Sequence, residues 1–256
     1  MSVGLNQGTS SIGLSTSIPT FYVLHRKPYR ENSQILDLFC EKQGRFSALY
    51  RVNKKHPPLQ PFIPYQIQFS GRGNLKYCQH VEANYCNQSE LKGHSLIGKN
   101  LYCGFYLNEL MMRLTWQDEP QADLFKVYQQ TLQGLLQLDN DQQSEPFLRR
   151  FEFHLLAILG YQYNWLQDSD CRDIQPEQYY NFDPHAGFNC INAEAYGVNR
   201  DSRGQQGFSG AAILAIAADN WQHELSWQVA KQVARLALKP LLGDKPLTSR
   251  ELFQRL

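Results

Sequence analysis

The chain has 256 residues, 42% of them hydrophobic and 12% aromatic, and a formal net charge of +1. That is apolar mass for one large or two modest cores, which excludes a wholly disordered chain, and no stretch approaches the roughly 20 consecutive apolar residues that span a bilayer. The near-neutral total hides a segregation: residues 1–80 carry ten Lys/Arg and three acids, a net +7, while the remainder carries fifteen bases and twenty-one acids, a net −6. A basic N-terminal module suits a polyanion, and the acidic remainder suggests a second domain with a different task.

Residues 1–20 are rich in Ser, Gly and Thr. They have neither a basic n-region nor a continuous apolar h-region, so they read as a disordered extension and not a secretory signal. The cysteines Cys40, Cys78, Cys86, Cys103, Cys171 and Cys190 contain no C-x-x-C pair. Without a signal they are expected to be reduced thiols in the cytoplasm. Cys40, Cys78 and Cys103 lie in apolar surroundings and are expected in cores.

From Phe21 the pattern is β, with short Val/Ile/Phe/Tyr runs between turn residues. Strands are predicted near Phe21–His25, Gln34–Cys40, Arg45–Tyr50, Phe62–Phe69 and Leu75–Val81. Five short strands in so short a segment match a small five-stranded barrel, the OB-fold size, over residues 21–85. Gln34–Phe39 alternates only imperfectly. After about residue 90 the period becomes helical. A helix is predicted over Leu96–Leu114, a second from Asp118-Glu119-Pro120 to about Leu138, and a third from Ser144-Glu145-Pro146 to Gly160. Residues 161–205 read as an irregular insert with a short hairpin near Tyr179–Phe182 and Phe188–Ile191. Helices return at Ser209–Ala218 and Leu225–Leu241, and Thr248 or Ser249 caps a last one. The fold class is therefore α+β multidomain: a five-stranded barrel, then a mainly helical domain over residues 86–256.

A basic small barrel with exposed rings suits single-stranded nucleic acid, because cations neutralise phosphates while rings stack on bases. Bases and aromatics interleave at Tyr22, Arg26, Lys27, Tyr29 and Arg30, and again at Tyr50, Arg51, Lys54 and Lys55. Arg45 and Lys76 add to the set, and Ser70-Gly71-Arg72-Gly73-Asn74 is either a plain turn or a loop that brings Arg72 to a phosphate. The alternative is that these charges only solvate strand edges. At the C-terminus Lys231, Arg235 and Lys239 form one helix stripe, followed by Lys245 and Arg250. Arg149 and Arg150 open an amphipathic helix in the acidic domain. There they either pair with Glu145 and Glu152 or line a pocket for an acidic peptide. No Walker A, G-x-G-x-x-G or H-E-x-x-H motif occurs, and no spaced acid/base set marks a catalytic site. Cys171, His185 and Cys190 fall short of a four-ligand zinc site.

At these residues the chain resembles RecO, the bacterial DNA-repair and recombination-mediator family. The resemblance runs through Val23-Leu24-His25-Arg26-Lys27-Pro28-Tyr29, Leu59-Gln60-Pro61-Phe62-Ile63-Pro64 and Gly71-Arg72-Gly73. It continues in Leu101-Tyr102-Cys103-Gly104-Phe105-Tyr106-Leu107-Asn108-Glu109-Leu110, Leu148-Arg149-Arg150-Phe151-Glu152 and Ala237-Leu238-Lys239-Pro240, and ends in Ser249-Arg250-Glu251-Leu252-Phe253. It implies an N-terminal OB-fold and a helical C-terminal domain, and with no catalytic motif in the chain the expected protein is a non-enzymatic mediator without a cofactor. It also implies binding of single- and double-stranded DNA, annealing of complementary strands, and loading of RecA, with RecR, onto strands coated by single-strand-binding protein. The acidic tail of that coating protein is expected at Arg149, with Arg150 the weaker candidate. Two departures stand out. Many relatives carry a four-cysteine zinc site where this chain has only Cys171 and Cys190, which places it with the zinc-free branch. The basic loop Arg51–Pro58 is also shortened, so DNA affinity is expected either to be lower or to rest more on Arg26, Arg72, Lys76 and the C-terminal bases. An RNA-binding module and a protein scaffold with an acidic partner remain the rival readings.

Overall fold

In a computed structural model the chain is described over residues 19–71, 76–84, 95–138, 143–191, 207–223 and 225–253. The expected extension, Arg72 and Cys86 lie outside the described residues.

Five strands form the N-terminal unit: β1 (Thr20–Pro28), β2 (Ser33–Cys40), β3 (Gly44–Arg51), β4 (Tyr65–Ser70) and β5 (Lys76–Ala83). They close in the order β1-β2-β3-β5-β4, with β3 and β5 parallel and β1 paired to β4. This five-stranded closed barrel is the OB-fold expected from the sequence. Phe21, Val23, Leu36, Leu38, Phe46, Ala48 and Ile67 fill its interior. Cys40 is buried there, and Cys78 packs against the same core, where burial pushes its thiol up to about 12.

The C-terminal unit contains α1 (Gly98–Leu114), α2 (Ala122–Gln137), α3 (Glu145–Ile158), α4 (Gly210–Ala217), α5 (Ser226–Leu242) and α6 (Thr248–Phe253). A small sheet, ordered β7-β6-β8, combines β6 (Tyr179–Asp183), β7 (Gly187–Ile191) and β8 (Phe208–Ser209). The hairpin predicted inside the irregular region is thus β6–β7. Edge-on aromatic pairs join Trp165 to Phe153 and Phe182 to Tyr163 and Phe188, a packing worth roughly 0.5–1.5 kcal/mol per pair beyond burial.

The imperfect alternation in β2 has a physical cause. Leu36, Leu38 and Cys40 face the barrel interior, while Phe39 faces outward and is covered by Phe125 and Tyr128 of α2. Tyr22 of β1 meets the same two rings. Both faces of β1 and β2 are therefore apolar at this end, one for each core. A bulge between Val23 and His25 takes Leu24 out of the ladder, and the buried Asn108 amide of α1 donates to its carbonyl at 2.9 Å while accepting from the Tyr128 hydroxyl at 2.7 Å. Asn108→Ala leaves these buried groups unpaired and should cost about 2 kcal/mol; chemical denaturation checks this, and an unchanged midpoint would remove Asn108 from the domain junction.

Two predicted boundaries are corrected. The fourth strand begins at Tyr65 and not at Phe62. Phe62 has φ of +67° and its ring packs on Phe105 of α1, so the helical domain holds it in a conformation no strand allows. The second helix begins at Ala122, because Asp118 has φ of +56° and its amide donates to the Arg45 carbonyl at 2.7 Å. Asp118–Gln121 is a connector docked on the barrel. Gly44 sits against it, since a side chain there would overlap the Glu119 carbonyl.

Candidate nucleic-acid interface

One end of the barrel is covered by helices; among the described residues no helix packs on the other, and that free end gathers the cations. The Tyr29 amide donates to the Ser33 carbonyl at 2.8 Å and the Val52 amide to the Asn32 carbonyl at 2.9 Å, which brings the β1–β2 turn alongside the exit of β3. Arg30 has φ of +54° at the tip of that turn. Beyond Arg51, the Asn53 side chain accepts from the Lys55 and His56 amides at 2.8 and 3.0 Å. This tight turn displays Lys54 and Lys55. Lys27, Arg30, Arg51, Lys54 and Lys55 are all exposed, and none forms an ion pair among the described residues.

Three other predicted cations are engaged inside the protein. Arg45 donates to the Thr115 carbonyl at 2.7 Å and to the Thr115 hydroxyl at 3.3 Å, tying β3 to the end of α1. Lys76 donates to Gln43 at 2.5 Å and lies over the Phe46 ring. Arg26, although exposed, donates to the Leu59 carbonyl at 3.0 Å. The interleaved aromatics also divide: Tyr22 and Tyr50 are buried, and the Tyr50 hydroxyl donates to the Pro57 carbonyl.

A second basic group lies at the C-terminus, where Arg235, Lys239, Lys245 and Arg250 are exposed; Lys231 of the same stripe instead pairs with Glu145 at 2.6 Å. Helix α1 fixes this group through two residues that sequence reasoning passed over. Arg113 donates to the carbonyls of Leu242, Lys245 and Pro246. Glu109, one turn earlier, accepts from the amides of Thr248 and Ser249 at 2.9 and 2.8 Å and from the Ser249 hydroxyl at 2.6 Å. Their i, i+4 spacing on α1 was a sequence signal, but it named no partner. Asn108, Glu109, Arg113 and Thr115 thus make α1 the spine that holds the barrel and the C-terminal bases in one frame.

Burial opposes ionisation of Glu109, but the Ser249 hydroxyl and the two amides outweigh it and hold its carboxyl below the usual range. A depressed carboxyl contributes stability above its unfolded value of about 4.3 and loses it as pH falls through the folded value. Docking of α6 should therefore persist at neutral pH and weaken below about pH 4. Hydrogen exchange at Thr248 and Ser249 reads this, and Glu109→Gln should lower their protection already at pH 7.

Arg149 and Arg150 have different surroundings. Arg149 is 5% exposed and pairs with Glu152 at 2.8 Å and Glu145 at 3.5 Å. Glu152 is 0% exposed and also accepts from the Tyr106 hydroxyl. Burial pushes the Glu152 carboxyl up, against the pull of Arg149 and Tyr106. Of the two alternatives the sequence left open, the structure gives Arg149 the ion pair. The Arg150 side chain is 40% exposed, makes two 2.8 Å bonds to Asp219, and lies near the rings of Phe147 and Trp221.

Cys171 and Cys190 are free and exposed, and no group of three or more His, Cys, Asp or Glu that could hold a metal ion occurs among the described residues. Two thiols, Cys171 and Cys190, fall short of the four that a four-thiolate zinc site in this region would need. No helix among the described residues is long and apolar enough to cross a membrane.

Comparison with known proteins places both units. Residues 18–85 match the family described as Recombination protein O N terminal, and residues 98–251 match Recombination protein O C terminal. Among curated relatives, the DNA repair protein RecO of Cellvibrio japonicus is 40% identical over 240 residues, covering 91% of this chain and 94% of that protein. The proteins of the same name from Vibrio vulnificus and Coxiella burnetii (strain RSA 331) are 38% and 37% identical, each over 91% of this chain and over 90% and 95% of their own lengths. With both domain matches in order on a closed barrel and a helical unit, the chain belongs to the RecO family.

Proposed function

We propose that this protein is a DNA repair and recombination mediator, not an enzyme, that binds single- and double-stranded DNA and brings complementary strands together. The observation that carries the reading is the free end of the barrel, where Lys27, Arg30, Arg51, Lys54 and Lys55 stand exposed and outside any ion pair of the described residues. Cations so placed exchange condensed counterions for phosphates, which supplies affinity without sequence preference. Lys239, Lys245 and Arg250, held by α1, extend the same chemistry to a second site on the molecule. Two strands neutralised on one protein repel each other less, so pairing accelerates without nucleotide hydrolysis. Arg72, outside the described residues, is proposed as a DNA contact on the resemblance alone, while Arg26, Arg45 and Lys76 act on the surface through the barrel's own packing.

The proposed partners are those that the family resemblance implies. RecR is the proposed co-factor in loading RecA, and the acidic tail of single-strand-binding protein is the proposed tether on the helical domain. At that contact Arg150 is the accessible guanidinium, flanked by aromatic rings, and Arg149 orders the helix beneath it. The test is a strand-annealing time course with complementary oligonucleotides and no nucleotide. Acceleration that fades with salt supports the reading; an unchanged rate at every salt concentration removes it.

A further inference from the structure

A row of apolar side chains on the outside of the barrel belongs to neither core. The strand register aligns Lys27 with Ile35, Ile35 with Leu49, and Leu49 with Tyr77, across β1, β2, β3 and β5. Leu36, Ala48 and Cys78, each next in sequence to a member of the row, face or pack on the barrel interior, so the row faces outward. Ile35 and Leu49 are half-buried and appear in no core, and Tyr77 is 43% exposed. Among the described residues, none of the three is a member of the core that the helices build over Tyr22 and Phe39. Its edges are cationic: Lys27 ends it, and Arg51 lies two residues along β3 from Leu49 on the same face.

We infer that Ile35, Leu49 and Tyr77 form a stacking platform for the bases of single-stranded DNA, with Tyr77 the residue that distinguishes single strands from duplex. The inference rests on the DNA-binding reading above and deepens it. Phosphates are offered alike by single strands and duplexes, so Lys27 and Arg51 serve both. Base faces are available only where strands are unstacked, and a ring on an aliphatic floor accepts any base. The adjoining cations select a polyanion as the occupant over a neutral protein surface. A base on Tyr77 with its phosphates at Lys27 and Arg51 uses the whole row.

The experiment measures binding by fluorescence anisotropy for the full chain and for Tyr77→Ala and Tyr77→Phe. The probes are a thymidine oligonucleotide, the same backbone with abasic sites, and a duplex, each at several salt concentrations. Tyr77→Ala should bind the thymidine strand about tenfold more weakly with an unchanged salt slope, the loss expected for one stacked base. It should match the parent within about twofold on the abasic strand and the duplex, which offer only phosphates. Tyr77→Phe keeps the ring and should bind all three like the parent. Because Tyr77 lies outside both cores, melting curves of the variants should coincide with the parent's. Equal losses on all three probes, or no loss on the thymidine strand, would overturn the platform while leaving the DNA-binding reading in place. If the parent chain binds none of the probes, both fall together.

Discussion

Arg149→Ala should lower folding stability by about 3–5 kcal/mol, the cost of leaving a buried carboxylate without its partner. For a chain of this size that is a fall in melting temperature of roughly 6–20 °C. The argument is local. Glu152 is wholly buried, its two visible partners are the Arg149 guanidinium and the Tyr106 hydroxyl, and Glu145 adds a second negative charge to the same cluster. Without the guanidinium, Glu152 would take up a proton. A carboxyl whose folded value is raised carries no penalty below its unfolded value of about 4.3 and an increasing one as pH rises toward the folded value. The difference between variant and parent should therefore be smallest near pH 4 and largest at pH 8. Arg149→Met combined with Glu152→Gln removes both charges and keeps an acceptor for Tyr106, so it should recover most of the loss. Urea denaturation of the three proteins at both pH values checks this. A single variant within about 1 kcal/mol of the parent would show that the pair does not hold α3. A loss of acidic-peptide binding in Arg149→Ala would thus have a structural route, and Arg150→Ala is the cleaner probe of the proposed tether.

The second large effect is on DNA. Replacing Lys27, Arg51, Lys54 and Lys55 together with Ala should reduce the salt slope of single-strand binding by about 3, from roughly 0.7 per lost phosphate contact. At low salt the same arithmetic gives an affinity loss of about a thousandfold. The four side chains are exposed and outside the ion pairs of the described residues, so melting should move little, as surface substitutions do. A parallel set of titrations decides it, and an unchanged slope would put the DNA backbone elsewhere on the molecule.

The barrel was readable because its strands are short, β-branched or aromatic, and separated by Gly and Pro, which is local chemistry. Phe62 and Asp118 were misread for a shared reason. Each sits where the two domains touch, and the distant partner, Phe105 for one and the Arg45 carbonyl for the other, overrides local preference. The same non-local contacts hid the division among the cations. Arg45 and Lys54 look alike in sequence, yet Thr115 claims the first and nothing described claims the second. Among the aromatics, Tyr22 and Tyr77 both stand near Lys or Arg. The packing of α2 on one end of the barrel buries Tyr22, while Tyr77 is 43% exposed, a division that sequence pattern alone does not show. Arg149 was ambiguous because i, i+3 and i, i+4 acids are equally compatible with a surface pair and a buried one. The burial of Glu152 resolves it.

The measurement that bears most directly on the central claim is a titration of the full chain with labelled single-stranded DNA over a range of salt concentrations. Tight binding at low salt, with log affinity falling steeply and linearly against log salt, is the result the cationic barrel end predicts. Absence of binding at the lowest salt, or an affinity indifferent to salt, would contradict it.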